Sequence, residues 1–94
     1  MRIEPVPSVE MYGIDVTNAA GGEALPTPVG KVIMGFTAKA PSTNTGIIYV
    51  GFGEVTTASF PLGPGDGIFI PHQHPNQFKA LASVNDEDLA LLYT

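Results

Sequence analysis

Residues 44–55 read NTGIIYVGFGEV, residues 62–71 read LGPGDGIFIP and residues 85–94 read NDEDLALLYT. Each is a short apolar run bounded by glycine, proline or acidic turn residues, which is the pattern of strands. In LGPGDG, Pro64 presets φ for the first central position of a turn, and Gly65 supplies the positive φ that a type II turn requires. Asp66 is placed to bond nearby backbone amides. The final run is the one segment that competes as a helix, with Asp86 as its cap, but too few residues follow for a stable helix and it is assigned as a strand.

Working outward, Val32, Met34, Phe36 and Ala38 fall on one face of a first strand, and APSTNTG turns the chain. Ile47 to Phe52 is apolar on both parities, so both of its faces should be covered. Val55 to Phe60, with β-branched Thr56 and Thr57, is a further strand candidate. Ile68 to Ile70, Phe78 to Ala82 and Leu89 to Tyr93 bring the set to six or seven. Short strands, glycine and proline turns and no helix-period segment predict an all-β fold, a small antiparallel β-sandwich or β-barrel of Greek-key or jelly-roll kind. The expected core includes Val32, Met34, Phe36, Ile48, Val50, Ile68, Ile70, Leu89 and Leu91, and Met11, Tyr12, Phe52 and Phe69 also fit core positions.

The first thirty residues have a different texture. Pro5, Pro7, Pro26 and Pro28 with Gly21 and Gly22 prevent a helix and interrupt sheet ladders. Residues 1–30 are therefore read as an extended arm with one short strand, in which Tyr12, Ile14 and Val16 alternate with Gly13 and Asp15. TNAAGGEALPTP is read as a loop, and residues 31–94 as the β-domain.

The chain has 94 residues, no cysteine, nine acidic and four basic residues, and a formal charge of −5. A chain this short buries roughly 60 to 65% of its unfolded surface, so oligomerisation or docking is a natural source of further stability. The acidic balance argues against nucleic acid and anionic membrane as partners. The apolar runs are strand-sized, and MRIEPVPS lacks the apolar stretch of a secretory signal, so the expectation is a protein made in the cytoplasm. No nucleophile-elbow serine is present, GFG and GPGDG precede no helix that would hold a phosphate, and Asp86, Glu87 and Asp88 lack the spacing of a calcium loop.

The order Asn-x-Gly, an aliphatic strand ending in Tyr-Val-Gly, a Pro-Gly-Asp turn, a second strand, a polar turn and a closing aliphatic strand resembles a cassette of small structural proteins in tailed-bacteriophage virions. The resemblance covers about half the chain. It implies a capsid decoration or cement protein, a β-domain seated on the outer surface of the capsid and bound to the major capsid protein, often as a homo-trimer. It implies no enzyme activity and no cofactor. A head-tail joining or fibre-base protein of the same virion is the alternative within this class. The candidate interface comprises Ile3, Val6, Val9 and Met11 of the arm, together with Phe52, His72 and His74.

PHQHPNQF raises an alternative from another class. His72 and His74, two apart, supply two of the three nitrogen ligands of a metal site, and the Gly-rich turn and strand before them resemble part of a cupin. A cupin carries a Glu four or five residues after the second His, where this chain has Phe78 and Lys79, and it needs a further His that this chain lacks. A third ligand would have to be a carboxylate such as Glu54 or Asp66. The histidines are therefore read as part of a polar loop or an interface, with no metal expected.

Overall fold

The computed structural model describes residues 10–27, 33–84 and 87–94. Among them lie eight strands: β1 Glu10–Val16, β2 Glu23–Ala24, β3 Phe36–Lys39, β4 Ile48–Phe52, β5 Phe60–Leu62, β6 Gly67–Ile70, β7 Phe78–Ala82 and β8 Glu87–Tyr93, with one 3₁₀ turn at Pro75–Gln77. They form two four-stranded sheets in the orders β1-β8-β3-β6 and β2-β7-β4-β5. Every recorded pairing is antiparallel. The pairs β4–β5, β3–β6, β2–β7 and β1–β8 nest inside one another, as in one long hairpin rolled so that β8 also meets β3 and β7 also meets β4. That is the jelly-roll form of the sandwich.

Side-chain alternation builds the core. In β8, Glu87, Leu89, Leu91 and Tyr93 point inward while Asp88, Ala90 and Leu92 point outward. Phe36 and Ala38 of β3, Ile48 and Val50 of β4, and Ala80 and Ala82 of β7 complete the facing layers with Val16, Leu25 and Leu62. Phe36 sits at the centre of an aromatic group, edge-on to Phe78 at 5.4 Å and to Tyr93 at 6.0 Å. Such pairs contribute about 0.5–1.5 kcal/mol each beyond the area they bury. The buried Tyr93 hydroxyl donates to the Pro26 carbonyl, which fastens the segment after β2 to the end of β8.

One end of the sandwich is closed by polar contacts. Asn44, buried in the turn before β4, donates from Nδ2 to the Asp88 carbonyl at 2.8 Å and accepts the Asp88 amide on Oδ1 at 3.2 Å. Its side chain thus pairs with β8 as a neighbouring peptide would. Glu87, 8% exposed, accepts the Gly46 amide at 2.7 Å, the Thr45 hydroxyl at 3.0 Å and the Thr45 amide at 3.3 Å. Burial pushes the Glu87 carboxyl up, but the bonds from the Thr45 hydroxyl and from the Gly46 and Thr45 amides outweigh it and hold the group below its ordinary value. A Cβ at position 46 would stand 2.7 Å from Ser83 Oγ and from Val84 Cγ2, so any larger residue would displace those side chains.

The type II turn in LGPGDG forms as the sequence predicts: the Asp66 amide donates to the Gly63 carbonyl at 2.9 Å, Gly65 has φ of 89°, and Asp66 Oδ2 accepts the Gly63 amide at 2.9 Å. The final run is a strand, as assigned.

Other expectations need correction. Residues 10–27 do not lie outside the domain as an arm with one strand. β1 pairs along seven residues of β8, and β2, inside the expected loop, pairs with β7, so Val16 and Leu25 are buried in the core. Residues 1–9, most of the arm's proposed contacts, lie outside the described residues, as does Val32. The expected strand over Val55–Phe60 is a turn closed by the Ser59 amide on the Thr56 carbonyl, and β5 starts at Phe60. Met34 is exposed because the chain bends before β3, its amide bonding the Thr94 carbonyl, and Ile33 takes the buried place. Phe52 and Phe69 are also exposed.

Two consequences are measurable. Leu91→Ala should lose about 2–5 kcal/mol in denaturant unfolding, because a fully buried side chain leaves a cavity in the central strand. Glu87 has a native pKa below the ordinary 4.5, so its stabilisation is complete above that value and is lost as pH falls through the lowered native pKa. The melting-temperature difference between the protein and Glu87→Gln should therefore be constant near neutrality and shrink on acidification below about pH 4.5. A difference that stays constant into strong acid would show that the ionised carboxylate contributes nothing.

Candidate functional site

Among the described residues, the end of the sandwich opposite the Asn44–Glu87 contacts is apolar and open. The register places the starts of β3 and β7 and the ends of β4, β6 and β8 there: Phe36 faces Ile70 and Tyr93 in one sheet, and Phe52 faces Phe78 in the other. The Phe36–Phe78 contact joins these two edges. Phe60, opposite Val50, lies toward the same end.

Of the five exposed large apolar side chains among the described residues, four lie toward this end. Met34 is 71% exposed, Phe52 62%, Phe69 54% and Phe60 51%, whereas Val84, at 46%, lies at the opposite end beside Gly46. Phe52 has the inward parity of Ile48 and Val50, but it is the last residue of its strand, where the facing sheet no longer covers it. Phe69 alternates with Ile68 and Ile70 and so stands on the outer face, its ring lying against Gly35.

A line of rings runs from the core out to this surface. Phe36 contacts Phe78, Phe78 contacts Phe52 at 5.1 Å, and His72 packs on both, at 5.2 Å from Phe78 and 5.5 Å from Phe52. His74 stands 5.9 Å from His72. The loop that carries the imidazoles is tied to the strands by its backbone. The His72 amide donates to the Ile70 carbonyl, the Gln77 amide to the His74 carbonyl, and the Gly53 amide to the Gln77 carbonyl. The His74 amide donates to His72 Nδ1 at 3.0 Å.

Of the residues singled out in the sequence, Phe52, His72 and His74 come together here. Met11 lies in β1 opposite Leu92, and Ile3, Val6 and Val9 fall outside the described residues. Met34, Phe60 and Phe69 belong to the site and were not anticipated as surface residues. Among the described residues no group of three or more His, Asp or Glu gathers to hold a metal. Asp66, one suggested third ligand, lies at the other end and bonds the Gly63 amide.

Charged residues lie toward both ends. Asp15, Asp66, Glu87 and Asp88 sit toward the closed end, while Glu54 in its loop, Glu10 opposite Tyr93 and Lys79 beside Phe78 lie toward the open end. Exposed aromatic side chains beside two imidazoles have the residue types enriched at the centres of protein interfaces. Comparison with known proteins finds no matching family, no similar curated protein and no similar solved structure.

The two kinds of phenylalanine should separate in unfolding experiments. Phe36→Ala, fully buried, should cost about 3–5 kcal/mol, whereas Phe52→Ala, mostly exposed, should stay within about 1 kcal/mol of the parent. Equal losses at the two positions would mean that the open end is covered within the single chain.

Proposed function

We propose that this protein is a structural component of a bacteriophage virion, a decoration or cement protein that seats its open apolar end on the outer surface of the capsid and stabilises the shell. The observation that carries this reading is the placement of exposed Met34, Phe52, Phe60 and Phe69 toward one end of a small β-sandwich whose opposite end is closed by the Asn44–Glu87 contacts. The sequence cassette supports it independently. Its Asn-x-Gly and its acidic turn are the two halves of the Asn44–Glu87 lock, and its strands build the sandwich that holds the aromatic end in place. The role is binding and mechanical: apolar surface removed from water at each contact, at about 25 cal/mol per Å², adds cohesion between capsid subunits. The partner is the major capsid protein.

Purified particles of the virus encoding this chain should contain it, and stripped particles should take it up again. Buried aromatic anchors at such interfaces are worth about 2 kcal/mol or more each, roughly thirtyfold in Kd. Phe52→Ser with Phe69→Ser should therefore remain folded but lose particle binding by at least about that factor. Unchanged binding of a folded double variant would remove the open end from the interface, and absence of the protein from purified particles would remove the virion role altogether.

A further inference from the structure

The edges of the two sheets differ in how they are protected. β2 has two residues, β5 carries Pro61 in its middle, and β6 has four residues and ends against Pro71. Short length and proline are the usual devices that stop an edge from pairing with another chain. β1 has neither. It pairs with β8 through seven consecutive residues without a bulge, contains no proline, and among the described residues no strand covers its other edge.

We infer that the open edge of β1 pairs antiparallel with β1 of a second copy of this chain, about a two-fold axis at Gly13. The sequence of β1, EMYGIDV, is suited to pairing with itself. The register centred on Gly13 is the one symmetric register that uses all seven residues. It sets Glu10 opposite Val16, Met11 opposite Asp15 and Tyr12 opposite Ile14, so no two carboxylates face each other despite the chain's net negative charge. An isologous contact of this kind closes on itself, and it would join two four-stranded sheets into one continuous sheet.

Gly13 is a second observation. Its φ is not positive, and a Cβ built on it would meet no atom of the described residues within 4 Å. Neither backbone conformation nor crowding within the chain asks for glycine there, although glycine weakens a strand interior. At the axis of a paired β1 the two Gly13 residues are direct neighbours, and no side chains there need to be ordered against each other on pairing.

This inference does not rest on the proposed function, and a two-fold pair departs from the trimer that the cassette implies. The chain has no cysteine, so a single introduced thiol reports the register directly. Residues directly opposite in an antiparallel pair lie within the Cα separation a disulfide spans, whereas Asp15 and its symmetry mate would be four residues out of register and far beyond it. Full-length Gly13→Cys should form a disulfide-linked dimer on mild oxidation at least about tenfold faster than Asp15→Cys, whose exposed side chain serves as the control. Light scattering on the unmodified full-length protein should give about twice its 9.8 kDa. A monomeric or trimeric mass would overturn the inference. So would a dimer in which Asp15→Cys cross-links as readily as Gly13→Cys. Capsid binding plays no part in these readouts, so their failure leaves the proposed function standing and the reverse also holds.

Discussion

The contact on which this structure depends most is the double hydrogen bond between the Asn44 side chain and the backbone of Asp88, reinforced by the Glu87 carboxylate on Thr45 and Gly46. β8 is an interior strand of its sheet, flanked by β1 and β3. A slip of one residue would turn Leu89, Leu91 and Tyr93 outward and bring Asp88 into the core. Turn residues 44–46, leading into the other sheet, hold that register: Asn44 pairs with the backbone of Asp88, and the Glu87 carboxylate, reaching Thr45 and Gly46, supplies the residue-specific part. The cost of burying Glu87 is offset by the hydrogen bonds that hold its charge, and the lock also stitches the two sheets together at that end.

An end closed in this way leaves the other free to be different. Because polar groups and turn carboxylates are used where β8 begins, the end where it finishes can be built from rings: Tyr93 and Phe36 within, then Phe78, Phe52 and His72 outward. The outermost of these contribute less to folding than to surface. A small domain can carry exposed aromatic side chains without losing its core when they extend the core, and this is the physical basis for reading the open end as a docking surface.

The fold was largely legible because its signals are local. The period-2 pattern of β8, the Pro64–Gly65 turn and the apolar run of β4 each depend on neighbours in sequence. What was hidden depends on neighbours in space. β2 is two residues among glycines and prolines, and only its pairing with β7 makes it a strand. Tyr12, Ile14 and Val16 revealed a strand, but nothing local indicated that it would lie beside β8, the last strand of the roll. At the site, Phe52 and the histidines could be singled out, whereas Phe60 and Met34 could not. Parity tells which face a side chain takes, but not whether the opposite sheet extends far enough to cover it. Phe69 was read as core, although apolar residues on both parities of Ile68–Ile70 require one of them to face outward.

Oxidative footprinting of the free and particle-bound protein tests the account most directly, because Met34, Phe52, Phe60 and Phe69 are exposed at one end and Val84 is exposed at the other. The account predicts that binding suppresses modification of those four side chains and leaves Val84 as reactive as in free solution. Protection of Val84 with Phe52 and Phe69 still reactive would contradict it, and would make the locked, acidic end the one that meets the partner.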